Sequence, residues 1–166
     1  LSHVETRRVA IVVDSSNDLP DAVLDQHRII MVPLQVMFGH ETFRDRIELK
    51  PEDFYRRLRT VKALPTTSQP TPAQFVRAFR EAREEADEVV GIFLGGVLSG
   101  TLGSAQAAVN AAGINGVHLV DSRSASVGLG LLALRGAELA EAGWPAAAIA
   151  KELVRVRDQS GLMLTV

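Results

Sequence analysis

Hydrophobic positions along the chain fall into two patterns, short continuous runs and longer segments with helical spacing. Residues 9–13 form a continuous run rich in β-branched side chains, which is typical of a strand buried on both faces of a sheet. Runs at 89–94 and 117–120 have the same character. Segments with apolar residues at helical intervals alternate with these runs, at 72–85, 102–112, 126–142 and 146–158. The alternation predicts an α/β fold, a mostly parallel sheet with helices on both faces in a three-layer α/β/α arrangement.

Local signals mark where some of these elements begin and end. Thr71, followed by Pro72 and then by a glutamine at the third helical position, matches a capping box, so a helix is predicted to begin at Pro72. Asp18 is predicted to cap a short helix. The apolar run at 29–38 contains Pro33, which predicts an edge strand or a break in the strand.

Composition narrows the class of protein. The 166 residues are 46% hydrophobic and 23% charged, which fits one domain with its own core. The net charge of −2, without a long basic run, gives no electrostatic support for nucleic-acid binding. There are no cysteines, so disulfides and thiolate metal sites are excluded. No apolar run reaches the length of a membrane span, and residues 1–8 do not resemble a signal peptide. The sequence therefore predicts a cytoplasmic protein without stable membrane insertion.

A glycine-rich loop at 93–106, FLGGVLSGTLGSAQ, is the first candidate for chemistry. Gly95, Gly100 and Thr101 have the spacing of a phosphate-binding P-loop, but the lysine that this motif requires is missing. The helix predicted to follow offers free N–H groups and a dipole that favour an anion. Hydroxyls and backbone amides suffice for one carboxylate, whereas a triphosphate would need a lysine and a metal. The loop therefore indicates an anion with few charges.

Hydroxyl side chains follow several predicted strands, at the edge of the sheet where parallel α/β proteins bind ligands. They are Ser15, Ser16, Ser99, Thr101 and Ser122. Thr67 and Ser68 lie in a polar segment that is predicted to be a loop stiffened by two prolines. Serine and threonine also favour turns and helix caps, and for Ser15, Ser16 and Ser122 this alternative is equally strong.

Two carboxylates at the same edge, Asp14 and Asp121, allow two interpretations. They could bind Mg²⁺. They could instead cap loops or pair with Arg123, and this second interpretation is favoured.

Three further patterns are better explained by structure than by chemistry. Gly128, Gly130 and Ala133 match a relaxed dinucleotide fingerprint, but they fall within a predicted helix, where glycines allow close packing. Ser99 as a nucleophile would need a general base, and none of the four histidines is predicted near it. A basic cluster at 56–62 is predicted to be a solvated helix face.

Five segments, in order, form a recognisable set. They are VVDSSNDLP at 12–20, Pro33-Leu34, TSQPT at 67–71, LSGT at 98–101 with Ser104-Ala105, and Asp121-Ser122 with Gly128 and Gly130. Each motif is weak alone, but together they cover nearly the whole chain. The set resembles the motifs of the DegV family, which are bacterial fatty-acid-binding proteins.

The resemblance implies a function as well as a fold. It implies a two-domain protein that encloses one long-chain fatty acid, such as palmitate, with Thr67 and Ser99 binding the carboxylate and Ser68, Gly100 and Thr101 beside them. It further implies an acyl carrier that presents the carboxylate to the catalytic subunit of a separate fatty acid kinase. The carrier is then not an enzyme itself, and the fatty acid is its ligand, without a metal or another cofactor.

The chain departs from the family pattern at two places. The family usually has two serines where this chain has Gly95 and Gly96, which removes hydroxyl donors. Family members also continue for a second domain, so residues 1–160 are interpreted as the first domain and 161–166 as the start of a truncated second one. The face left by the missing domain is expected to be apolar and to allow self-association. Its candidate residues are Leu98, Leu102, Leu162 and Leu164.

Two alternatives of other classes stay open. The chain could be an α/β enzyme domain that binds a phosphorylated small molecule at the Ser99-Gly100-Thr101 loop. It could also be a purely structural domain whose ligand site is vestigial.

Overall fold

The computed structural model describes residues 8–163, which form seven strands, six α-helices and one short 3₁₀ helix, Ser15–Asn17. The strands are β1 (Val9–Asp14), β2 (Ile30–Val32), β3 (Gln35–Phe38), β4 (Glu41–Arg44), β5 (Thr66–Ser68), β6 (Glu88–Phe93) and β7 (Val117–Asp121). The helices are α1 (Asp21–Gln26), α2 (Pro51–Leu58), α3 (Pro72–Glu85), α4 (Thr101–Ala112), α5 (Ser126–Glu141) and α6 (Ala146–Asp158). In this part of the chain, no helix is both long and apolar enough to cross a bilayer.

The main sheet contains four parallel strands in the order β2-β1-β6-β7. Its central pair joins β1 to β6, with Val9 opposite Glu88 and Val13 opposite Ile92. All four strands run in one direction, so the loops that follow them leave from the same edge. The predicted fold class is confirmed.

Side chains of the sheet alternate between two cores, one on each face. On one face Ile11, Val13 and Ile92 pack against helices α1, α5 and α6. On the other face Val12 and Phe93 pack against α3 and α4. Continuously apolar strands are needed here because both faces are covered, which is why their sequence shows no alternation of polar and apolar residues.

A second, smaller sheet is not predicted from the sequence. Its three strands are antiparallel in the order β4-β3-β5, and they are only three or four residues long. The run at 29–38 therefore splits at Pro33: β2 is an edge strand of the main sheet, and β3 belongs to the small sheet. Thr67 and Ser68, predicted in a loop, are in β5 and pair with Val36 and Gln35. Strands this short and polar give little signal in a sequence.

Predicted element ends are confirmed at one place and wrong at another. The capping box at Thr71 is present, with both of its reciprocal hydrogen bonds. Asp18 does not cap α1, whose N-cap is Pro20. Asp18 instead takes a left-handed conformation, with a φ of 53°, and its carboxylate accepts a hydrogen bond from the Ser126 hydroxyl at 2.6 Å. It therefore ties the first loop to α5 rather than starting α1.

Candidate functional site

Asp14 is fully buried where β1 ends, and its carboxylate ties two loops together. It accepts hydrogen bonds from the backbone N–H of Leu94, at 2.7 Å, and from the backbone N–H and the hydroxyl of Ser16. Leu94 begins the loop that follows β6, so the carboxylate fixes this loop to the one that follows β1. Burial raises the pKa of Asp14 above its usual value, although these hydrogen bonds act in the opposite direction.

The glycine pair at 95–96 packs the loop after β6 against the loop after β7. The N–H of Gly95 donates to the carbonyl oxygen of Ser124 at 2.9 Å, and that of Gly96 donates to the Asp121 carboxylate at 3.1 Å. A Cβ atom on Gly95 would lie 3.2 Å from the backbone of Arg123, so the two loops could not approach as closely with a side chain there. Both amides are used within the protein, and neither is available to a ligand.

Asp121 caps a loop, as the sequence indicates, but it does not pair with the Arg123 side chain. Its carboxylate accepts the backbone N–H of Arg123 at 2.9 Å, whereas the guanidinium of Arg123 pairs with Asp158 at 3.4 Å. Asp14 is likewise occupied by loop donors. Within residues 8–163, no group of three or more His, Asp or Glu side chains is arranged to hold a metal ion.

Ser99 and Thr101 form a hydroxyl pair at the start of α4. Their Oγ and Oγ1 atoms are 2.9 Å apart, and Ser99 Oγ also accepts the backbone N–H of Thr101 at 3.2 Å. Ser99 is half-buried, and Thr101 is fully buried behind it. Gly100 between them is the N-cap residue of α4 and has no side chain to cap the helix, so the first turn is open to an anion.

The segment at 67–70 lies against the start of α4. The Ser104 hydroxyl donates to the carbonyl oxygen of Pro70 at 2.6 Å. The side-chain amide of Gln69 comes within 3.0 Å of the position that a Cβ atom on Gly100 would occupy. Thr67, exposed in β5, and Ser99 are therefore on two segments in direct contact. That their hydroxyls face one crevice, a few ångströms apart, remains a prediction.

The remaining hydroxyl candidates serve the loops. Ser15 Oγ accepts the backbone N–H of Leu34 at 3.0 Å and hydrogen-bonds the carboxylate of Asp45, whose pKa is nevertheless raised by burial. Ser122 Oγ accepts the backbone N–H two residues along, at 3.1 Å. Together with Ser16, which bonds Asp14, these residues fit the turn-and-cap alternative.

Asn17 and Arg46 order the first loop, and neither role is predicted from the sequence. The Asn17 amide donates to the carbonyl oxygen of Asp14, and its oxygen accepts the N–H of Leu19, each at 2.8 Å. The guanidinium of Arg46 is buried and donates to the carbonyl oxygen of Leu19 at 2.6 Å and to Asp21, whose pKa it lowers. The role of an asparagine in a DSSN turn could have been predicted from the sequence, because such residues favour turns. The role of an isolated arginine could not be predicted in this way.

The Gly128-x-Gly130 pattern lies inside α5 and serves packing. A Cβ atom on Gly130 would lie 2.4 Å from the carbonyl oxygen of Asn17, and one on Gly128 would lie 2.1 Å from Ser124 Oγ. These glycines let α5 approach the loops after β1 and β7. The dinucleotide interpretation has no support here, because the pattern does not form a loop between a strand and a helix.

Gly130→Ala is expected to lower the free energy of unfolding by about 1–3 kcal/mol, because the added methyl overlaps backbone rather than a flexible side chain. Gly103→Ala is the matched control: it is also a helical glycine, and nothing lies within 4 Å of its Cβ position. The control should gain up to about 1 kcal/mol from helix propensity. Urea unfolding followed by circular dichroism measures both, and equal effects at the two sites would contradict the packing role.

No histidine in residues 8–163 hydrogen-bonds to Ser99, whose hydroxyl partner is Thr101. His27 instead contacts Glu141, with its Nδ1 2.8 Å from the carboxylate. His40 is exposed at the turn before β4, and His118 is in β7. Among the described residues, Ser99 is therefore not in the hydrogen-bonded serine–histidine arrangement that activates a nucleophile.

Apolar side chains are exposed around the site edge. Val97, which is 92% exposed, and Leu98 are in the loop after β6, and Leu162 is also exposed, whereas Leu102 is half-buried against the core. Leu164 lies outside the described residues. Residues 161–163, the described part of the 161–166 segment, form no strand.

The end of α6 lies at the same edge as the site loops. The Arg157 guanidinium donates to the carbonyl oxygen of Asp121 at 3.0 Å. The chain therefore leaves α6 beside the loop that follows β7.

Comparison with known proteins gives one consistent family. The family model described as "Uncharacterised protein, DegV family" matches residues 8–166. A DegV domain-containing protein from Deinococcus radiodurans is 41% identical over 158 residues, which is 95% of this chain and 56% of that protein. The chain thus spans about half the length of the curated relatives that it matches.

Solved structures agree with the sequence comparison. A fatty-acid-binding DegV family protein from Thermus thermophilus aligns with a TM-score of 0.83 at 40% identity, over 91% of this chain and 54% of that one. DegV from Bacillus subtilis, a fatty acid binding protein, aligns with a TM-score of 0.83 at 36% identity, over 92% of this chain and 54% of that one.

Proposed function

The chain belongs to the DegV family, and from this premise we propose that it binds a long-chain fatty acid by its carboxylate. The observation that carries the proposal is the contact between the 67–70 segment and the start of α4, since these two segments bear the candidate hydroxyls Thr67 and Ser99. The relatives from T. thermophilus and B. subtilis that share this half of the fold bind fatty acids. We assign the carboxylate to Thr67 and Ser99.

Hydroxyl donors beside an uncapped helix start suit a singly charged anion. Thr67 is exposed, and Ser99 is half-buried at the first turn of α4. Ser68 and Gly100 flank these two donors on the same segments. Thr101 is fully buried, so we place it behind Ser99 rather than against the ligand. A carboxylate is held by such donors without a lysine, whereas a polyphosphate would leave most of its charge unpaired.

The acyl chain needs a second wall, which we assign to the part of the relatives that this chain does not span. Val97 and Leu98 are exposed beside the head-group site, and the chain leaves α6 at the same edge. We therefore interpret residues 1–160 as the first domain of a DegV protein and 161–166 as the lead into a second one. The fatty acid would lie between the two.

The role that fits such a site is that of a carrier. No histidine among residues 8–163 hydrogen-bonds to Ser99, and we assign the chain no catalytic step of its own. A bound carboxylate at the loop edge would be presented to the catalytic subunit of a fatty acid kinase, which supplies the ATP site that the glycine-rich loop lacks. Since that ATP is cytoplasmic, the proposal also places the chain in the cytoplasm.

Thr67→Val tests the head-group assignment, with Thr42→Val as the matched control. Both threonines are exposed on strands of the small sheet, and valine keeps the β-branch. Thr67→Val should weaken binding of a fluorescent fatty acid by about tenfold or more, because a hydrogen bond to a charged group is lost. Thr42→Val should leave binding unchanged. Equal affinities for the two variants would remove Thr67 from the site.

Mass spectrometry of the protein extracted from cells separates the proposed ligand from the alternatives. A copurifying long-chain fatty acid supports the carrier. A nucleotide or sugar phosphate would favour an enzyme domain with a phosphate on the Ser99-Gly100-Thr101 loop. If no ligand copurifies and the protein does not bind added palmitate, a structural domain with a vestigial site is favoured.

A further inference from the structure

The hydroxyl of Thr101 is fully buried and has a single partner in the described part of the chain. That partner is Ser99 Oγ, 2.9 Å from Thr101 Oγ1. No buried side-chain oxygen or nitrogen among residues 8–163 lacks a hydrogen-bond partner, so this one contact satisfies Thr101. Whether Ser99 or Thr101 donates in this hydrogen bond depends on which other acceptors each hydroxyl proton can reach.

A hydroxyl carries one proton, so in either direction of the hydrogen bond the proton of the accepting hydroxyl needs another acceptor. If Ser99 donated to Thr101, the Thr101 proton would be buried without an acceptor, which is costly. If Thr101 donates, both buried atoms are satisfied, and the Ser99 proton points away from Thr101. Ser99 is only half-buried, so its proton then reaches solvent or a ligand.

The lone pairs of Ser99 Oγ are also accounted for. One accepts the backbone N–H of Thr101 at 3.2 Å, and the other accepts the Thr101 hydroxyl. With both filled, Ser99 acts only as a donor towards anything in the site.

We propose that Thr101 is a positioning residue, which donates its hydroxyl proton to Ser99 and thereby fixes the Ser99 hydroxyl as an outward-facing donor to the carboxylate of a fatty acid. The second part of this inference rests on the proposed function. A group that presents only a donor favours an ionised carboxylate, which has only acceptors, over a ligand that must donate.

The first part can be tested without a ligand by NMR at low temperature. The Thr101 hydroxyl proton should be protected from exchange with water, in contrast to that of exposed Thr42, and should show a nuclear Overhauser effect to the β protons of Ser99. Fast exchange of the Thr101 proton would overturn the proposed direction of the bond. This measurement is independent of whether the chain binds fatty acid.

The second part is tested by a double-mutant cycle on binding of a fluorescent fatty acid. Thr101→Val keeps the shape and the backbone N–H and should weaken binding by about fivefold, whereas Thr101→Ser, which restores a hydroxyl, should recover most of the loss. In a Ser99→Ala background, Thr101→Val should have no further effect, because Thr101 acts through Ser99. Additive losses, or no rescue by serine, would overturn the positioning role.

Failure of the proposed function gives a different result from failure of this inference. If the unsubstituted chain does not bind the probe at all, the proposed function fails, and the NMR measurement alone decides the direction of the bond. If the unsubstituted chain binds and Thr101→Val binds equally well, the function stands and the positioning role is wrong. Thermal unfolding of each variant shows whether Thr101→Val is folded, and Thr101→Ala, which also removes the hydroxyl, serves in its place if it is not.

Discussion

The 166-residue chain is expected to bind palmitate at least about a thousandfold more weakly than the full-length relative from T. thermophilus. Each methylene removed from water contributes about 0.8 kcal/mol, and covering one side of an acyl chain instead of all sides forfeits about half of that. Over a palmitate chain the loss exceeds about 4 kcal/mol, which is a thousandfold in affinity. The proposed head-group donors on the 67–70 segment and at the start of α4 lie in the part that both proteins share, so the proposed specificity for a carboxylate should survive.

Titration with a fluorescent fatty acid measures this difference, and sedimentation velocity is its control. Val97 and Leu98 are exposed beside the site, and we expect a second copy of the chain to cover them. We expect self-association through these side chains, and it should weaken when Val97 is replaced by Asp. A strictly monomeric chain that binds palmitate as tightly as the full-length relative would show that one half is enough.

Phe93→Ala is expected to lower the free energy of unfolding by about 3–5 kcal/mol. Phe93 is fully buried at the end of β6, and its ring contacts those of Phe75 and Phe79 on α3, with centroids 5.0 and 6.4 Å away. Gly91 makes room for it, since a Cβ atom there would lie 2.7 Å from the Phe93 ring. Phe75 and Phe79 already pack in the core on this face of the sheet, so we expect them to fill little of the cavity.

Phe43→Ala is the matched control for this change. Phe43 is half-buried in the small sheet, with the Arg57 guanidinium 4.6 Å from its ring centre. Phe43→Ala should lower the free energy of unfolding clearly less than Phe93→Ala does. Denaturant unfolding compares the two variants directly, provided that the m-value is unchanged. A Phe93→Ala loss no larger than that of Phe43→Ala would mean that the aromatic cluster is not central to stability.

The sequence predicts the main sheet well because its signals are local and strong. A continuous apolar run such as β1 fits only a strand covered on both faces, and the capping box at Thr71 is set by residues three apart. The glycines of α5 are also predictable in role, since a glycine pair in an apolar helix indicates close packing.

The small sheet and the buried polar groups escape prediction for the opposite reason. Thr67 is in a strand only because β3, about thirty residues earlier in the chain, pairs with it. Its neighbours in the sequence are polar and give no signal of a strand. The role of Arg46 depends on the carbonyl oxygen of Leu19 and on Asp21, which are distant in sequence. Motifs in the sequence predict which residue types belong to the candidate site. The hydrogen-bond partner of each hydroxyl could be identified only from the three-dimensional structure.

The hydrogen bond from Leu94 to Asp14 also constrains the order in which the molecule folds. It spans 80 residues, and it forms between the ends of β1 and β6, the central pair of the sheet. Helices and hairpins close early because their contacts are local, whereas a parallel pair this far apart must first overcome the entropy of closing a long loop. The loop that carries Ser99 is anchored through this pair, so a ligand-competent edge is a late product of folding. A nascent chain would therefore complete the proposed carboxylate site only after β6 has been synthesised and has joined β1.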